Sequence, residues 1–160
     1  MNPGRETVAT ALATLLGGAP VSGRYPNINP ILISAGYKLF GRRLRDWVQV
    51  EACDKPALFL VNYEENHDRK AIMGPDKLTM GFMAVIYDDV TDQFLVPSQR
   101  ANALLDAIDD VLRAAVDPLT DRVTLGGIVS HCWVEGTGKV SPGDLDNQTV
   151  ITYPIRVLVP

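Results

Sequence analysis

The chain has 160 residues, 46% of them hydrophobic and 21% charged, with a formal net charge of -4. That length and composition are ordinary for a folded protein and suit a single domain, 1–160, with a sizeable core of its own. The acidic balance excludes general nucleic-acid binding, which needs a basic surface, but leaves room for a local basic patch.

Two cysteines, Cys53 and Cys132, stand far apart without metal-ligand spacing. They read as free buried thiols in a reducing compartment, with a disulfide between them left open. Threonines interrupt the apolar character of residues 7–16, so the start does not read as a secretory signal. No apolar run is long enough to span a bilayer. The expectation is a protein made in the cytoplasm, with no membrane partner.

Residues 5–16 are predicted to form a first helix, with Val8, Leu12, Leu15 and Leu16 in one stripe and Gly17-Gly18 ending it. The stretch 21–36 is rich in glycine, proline and asparagine, yet Ile28, Ile31, Leu32 and Ile33 are too apolar for a solvated linker. An irregular but ordered excursion, packed on this subunit or a neighbour, is expected there. Residues 37–50 hold the dense basic cluster Lys38, Arg42, Arg43 and Arg45, interleaved with Leu39, Phe40, Leu44, Trp47 and Val48. Either the aliphatic groups dock while the arginines stay in water, or the arginines meet acidic neighbours or phosphate.

Asp54-Lys55-Pro56 turns into the unbroken apolar run 57–61, the start of a candidate strand at 57–63, which fits a central strand covered on both faces. Residues 64–74 are charged and read as an exposed hairpin loop, followed by a strand at 78–88. Asp88, Asp89, Asp92 and Gln93 form the turn to the main helix, 98–116. There Ala101, Leu104, Leu105, Ile108, Val111, Leu112 and Ala115 recur at helical spacing, with Ser98 as candidate cap. A strand at 123–134 with Gly126-Gly127 as a bulge, a long hairpin loop at 136–147 and an alternating strand at 149–159 complete the chain. Pro154, lacking an amide donor, suggests that the last strand is an edge or bulges there. This order predicts an α+β fold: an antiparallel or mixed sheet of about four strands with two main helices packed on one face.

No catalytic, cofactor or metal site emerges. Ser130-His131-Cys132 places two nucleophiles beside a base, but neighbours on a strand point to opposite faces. Gly126-Gly127 and Gly136-Thr137-Gly138-Lys139 lack phosphate-loop spacing and a following helix. Asp106, Asp109 and Asp110 read as a solvated helix face rather than a cation site. His67 lies in a charged loop.

Taken in order, several short motifs resemble the tail terminator (minor tail, tail-completion) proteins of long-tailed bacteriophages. They are Phe40-Gly41-Arg42-Arg43-Leu44 with Trp47, then Lys55-Pro56-Ala57-Leu58-Phe59-Leu60, then Asn102-Ala103-Leu104-Leu105-Asp106-Ala107-Ile108. Thr124-Leu125-Gly126-Gly127-Ile128-Val129-Ser130-His131-Cys132 follows, and Val150-Ile151-Thr152-Tyr153-Pro154-Ile155-Arg156-Val157-Leu158-Val159 closes the series. The excursion 21–36 is longer than expected for that family. The resemblance implies a structural virion protein without enzymatic activity: a ring, usually a hexamer, capping the head-proximal end of the tail tube. It would stop tube growth, contact the tail tube protein and present a surface to head-completion or neck proteins. A head-tail connector or stopper, and a small cytosolic enzyme or ligand-binding domain, are the alternatives.

Within that frame Arg42, Arg43 and Arg45 are the interface candidates, because they form a basic cluster in an acidic chain. DNA must pass the lumen of such a ring without specific binding, so carboxylates are expected to line it. Asp88, Asp89 and Asp92 are preferred there over Glu64, Glu65 and Asp68, whose loop also carries Arg69 and Lys70. Were the lumen basic instead, Arg42, Arg43 and Arg45 would be its candidates.

Overall fold

The stripe Val8, Leu12 and Leu16 lies on one face of helix α1 (Arg5–Gly17), and all three side chains are fully buried. The computed structural model describes residues 3–69, 77–92, 94–141 and 148–160. After α1 the chain reverses through Ser22 and Gly23, both at positive φ, while Val21 and Arg24 exchange backbone hydrogen bonds of 2.8 and 3.0 Å. The excursion at 21–36 is ordered and packs on its own chain. Asn29 supplies the reason: its carboxamide oxygen accepts from the Ile31 amide and caps helix α2 (Pro30–Ala35), and its NH2 donates to the Leu15 carbonyl, both at 3.0 Å. Ile28 and Leu32 are thereby held in the main core.

Strand β1 (Leu39–Gly41) runs parallel to β2 (Ala57–Asp68), with two 3-10 turns, Trp47–Gln49 and Ala52–Asp54, between them. β2 pairs antiparallel with β3 (Lys77–Asp89), and helix α3 (Pro97–Ala114) follows. A small ribbon of β4 (Val116–Asp117) and β5 (Arg122–Val123) leads to β6 (His131–Val134), β7 (Lys139–Ser141) and β8 (Gln148–Val159). Among the described residues the main sheet has six strands in the order β1-β2-β3-β8-β6, with β7 beside the same margin of β8 as β6. It is mixed, and larger than the four strands expected, because 39–41 and 139–141 each add a short strand. Neither is long enough to show alternation in the sequence.

Alternation along the long strands separates two cores. Leu58, Leu60, Phe82, Ala84, Ile86, Ile151, Ile155 and Val157 meet all three helices on one face. Ala57, Phe59, Val85 and Tyr87 face the other way, under Val50, Leu39 and Trp47. The run from Ala57 to Leu60 is therefore covered on both sides, as its continuous apolar character indicates. On α3, Leu104, Ile108, Val111 and Leu112 are buried, while Leu105 is only partly covered. Among the described residues no helix is long and apolar enough to cross a membrane.

Several local expectations change. The charged stretch after Tyr63 is strand as far as Asp68, past an irregularity between Asn62 and Glu64. Its acids are matched across the fold, Glu65 with Arg5 at 2.6 Å and Glu64 with Arg156 at 3.0 Å. Lys70 to Gly74, Gln93 and 142–147 lie outside the described residues. The single strand expected at 123–134 is interrupted: Leu125, Gly126 and Gly127 have φ of 50°, 74° and 86° and turn the chain between β5 and β6. β8 is not an edge. β6 ends opposite Ile155 and β7 begins opposite Thr152, so Pro154 falls in the break between them, where a missing donor costs least. Ser98 does not cap α3; Val96 is the N-cap residue and Pro97 takes the first helical position.

Candidate functional site

The three arginines singled out from the sequence converge on a cleft of about 650 Å³ at the β1 edge of the sheet. Its shape follows from small and aromatic residues meeting. A Cβ on Gly17 would collide with the Phe40 ring, so only glycine lets the end of α1 approach β1 this closely. Tyr25 packs edge-on to Phe40 with ring centroids 4.8 Å apart, and Phe59 completes an apolar floor. Arg42, Arg43 and Arg45 leave β1 along one wall, and the Val21–Arg24 turn brings Arg24 to the other; Asp54 is the carboxylate among the lining residues.

The four guanidinium groups are held differently. Arg42 donates twice to Glu6 of α1, at 2.5 and 3.2 Å. That hydrogen-bonded pair raises the arginine and lowers the Glu6 carboxyl relative to their ordinary values. The Arg45 guanidinium carbon lies 5.7 Å from the centre of the Phe59 ring, and its backbone carbonyl accepts from the Tyr87 hydroxyl at 2.7 Å. Arg24 and Arg43 are exposed and have no ion-pair partner among the described residues. Arg24 was missed in the sequence. It stands alone after Gly23, and only the turn and the Tyr25–Phe40 contact bring it to the other three.

The acidic candidates separate. Asp88 is 1% exposed and accepts from Arg100 Nε at 2.7 Å and Nη2 at 2.9 Å, on the helix face of the sheet. It is an internal ion pair and cannot line a lumen. Its alternation with Tyr87 along β3 turns it inward, which a run of aspartates in the sequence does not reveal. Asp89 is half-buried and Asp92 exposed, with the Asp92 carboxylate accepting from the Phe94 amide at 2.9 Å. Phe94, Leu95 and Val96 follow as a run of exposed apolar side chains.

The groups that might suggest catalysis are used structurally. His131 Nδ1 accepts from the Val123 amide at 3.3 Å, and its ring stacks on Trp133. Cys132 is buried, which pushes its thiol up to about 12, far from a reactive thiolate. Cys53 is exposed rather than buried, and both cysteines are free. Asp109 accepts from the Tyr153 hydroxyl and Asp110 pairs with Arg113, both at 2.8 Å. An apolar groove of about 700 Å³ also runs between the outer face of α1 and the turn at Leu125 and Ile128.

No protein-family model matches the chain, and no curated protein matches its sequence. Among solved structures, a chain described as "Virion of native gene transfer agent (GTA) particle" superposes with a TM-score of 0.49 at 12% identity, covering 82% of this chain and 85% of that one.

Proposed function

We propose that this chain is a structural virion protein that works as a tail terminator: a ring subunit, six to a ring, capping the head-proximal end of a tail tube and joining it to the neck. The order of motifs from Phe40 to Val159 supports the family. The observation that carries an assembly role is the cleft, where Arg24, Arg42, Arg43 and Arg45 gather over an apolar floor on an otherwise acidic protein. Arginine beside a partly exposed tyrosine is a composition favoured where proteins meet, and Tyr25 is the aromatic ring of the cleft that stays partly open.

In such a ring the cleft arginines contact a neighbouring subunit or the tube protein, and Asp89 and Asp92 are the lumen candidates that reach beyond the core. DNA passes without specific binding. The solution mass of the purified chain tests the reading directly. A species near six times 17.4 kDa that images as a ring supports it, and a stable monomer at all concentrations overturns it. Particles lacking the protein separate it from a head-tail connector: tails of uncontrolled length support the terminator, whereas unjoined tails of normal length support the connector.

A further inference from the structure

A second feature stands at the other side of the sheet. β4 and β5 form a two-stranded stem whose turn, residues 118–121, carries Leu119 at its tip, 93% exposed. Asp117 fixes that turn: its carboxylate accepts from the Leu119 amide and from the Thr120 hydroxyl, both at 3.0 Å, and its carbonyl accepts from the Asp121 amide at 2.8 Å. Asp121 sits at φ 55° and has no ion-pair partner among the described residues. The stem is anchored below by the buried Val123, whose amide is the donor to His131 on β6. The result is a rigid knob, one leucine between two carboxylates, with Arg122 a step down the stem.

A single exposed leucine means little by itself. Its surroundings match the cleft, however: an apolar tip for Tyr25, Pro26 and Leu39, which line the cleft and stay at least partly open above the buried Phe40 and Phe59, and two carboxylates for the rim of Arg24 and Arg43. The cleft flanks β1, at one end of the strand order, and the knob is tied to β6, at the other. Two different complementary patches at opposite sheet margins make a head-to-tail contact, which gives a ring where the rotation between neighbours closes and an open filament where it does not.

We propose that the Asp117–Asp121 knob of one copy seats in the arginine cleft of the next copy of the same chain. This deepens the ring reading and rests on it, since it supplies the contact between neighbouring subunits. Preorganisation of the knob by Asp117 limits the ordering cost of association.

Mixing variants tests it, with sedimentation as the readout. Leu119→Asp and Leu119→Ser remove the knob tip, and Arg43→Glu reverses the cleft rim; both positions are exposed, and unchanged circular dichroism melts confirm folding. Each variant alone is expected to lose assembly, with the association constant falling about 10- to 100-fold, as for removing one leucine's burial. A mixture of Leu119→Asp with Arg43→Glu should form one-to-one dimers and nothing larger, because a single intact knob meets a single intact cleft. Rings that survive both variants overturn the knob-and-cleft contact but leave the ring reading standing. A wild-type chain that never leaves the monomer overturns both. If Arg43→Glu keeps its rings but loses binding to a labelled DNA duplex, the cleft is a phosphate site and the proposal fails.

Discussion

On one face of the sheet, three helices bury Leu12, Leu16, Leu32, Phe82, Leu104, Ile108, Ile151 and Ile155 with almost no exposure. On the other, the buried hydrophobic cluster among the described residues is Val50, Ala57, Phe59, Val85 and Tyr87, beneath short turns rather than helices. There Lys55 lies over the Trp47 ring, its nitrogen 3.1 Å from the centroid, and burial draws its ammonium below the ordinary lysine range while Asp89 opposes the shift. The helix face holds mostly apolar groups that only packing can satisfy, with the Asp88–Arg100 ion pair set among them. The turn face holds aromatic and cationic groups that pack and still present charge at the surface, and the arginine cleft opens beside them. Stability and surface chemistry are thus divided between the two sides of one sheet, and mutations should divide in the same way.

The largest effects belong to the helix face. Ile108→Ala should cost about 2–5 kcal/mol in chemical denaturation, and Leu105→Ala, at a partly covered position, distinctly less. Equal losses at the two positions would break the distinction between core and rim. Next comes the charged pair on that face. Arg100→Ala strands the buried Asp88 carboxylate and should cost about 1.5–3 kcal/mol, the range for a hydrogen bond to a charged group. Replacing Asp88 as well should recover part of the loss, and a double-mutant cycle measures how much.

On the turn face, Trp47→Ala removes the ring beneath Lys55 and should cost about 0.5–2 kcal/mol from that contact, read as a drop in melting temperature. Arg43→Glu should leave stability within about 0.5 kcal/mol while abolishing assembly. A large drop in its melting temperature would mean that the cleft belongs to the core after all. The smallest effect concerns pH. Arg42 and Arg5 hold the carboxyls of Glu6 and Glu65 below their ordinary values. A lowered folded-state value stabilises above the unfolded one and is lost as pH falls through the folded one. Both pairs should therefore persist through the usual carboxylate range and open only below it. Replacing Glu6 by Gln should flatten the acid limb of the stability curve slightly.

The helices were legible because each repeats its apolar residues at a spacing that one covered face imposes. Val8, Leu12 and Leu16 of α1, and Leu104, Ile108 and Val111 of α3, are buried as their spacing requires. The cleft was legible in part: Arg42, Arg43 and Arg45 stand together in the chain, and Arg24 does not. The acidic turn misled, because Asp88 and Asp92 look alike as residues, yet Asp88 is on β3 and turned inward while Asp92 lies beyond the end of that strand and is exposed.

Sequence by itself determined what depends on near neighbours: helix faces, the doubly covered strand at Ala57 to Leu60, and the absence of phosphate-loop spacing at Gly126-Gly127. It also determined the acidic balance of the surface, since counting charges needs no coordinates. Tertiary structure alone decided what depends on residues distant in the chain. It placed Pro154 between two partner strands, buried Asp88 against Arg100, joined Arg24 to the other arginines and set the Leu119 knob at the opposite margin of the sheet. The physical reason is common to all four: burial, pairing and convergence are properties of space, and a short window of sequence records only the preferences of adjacent residues.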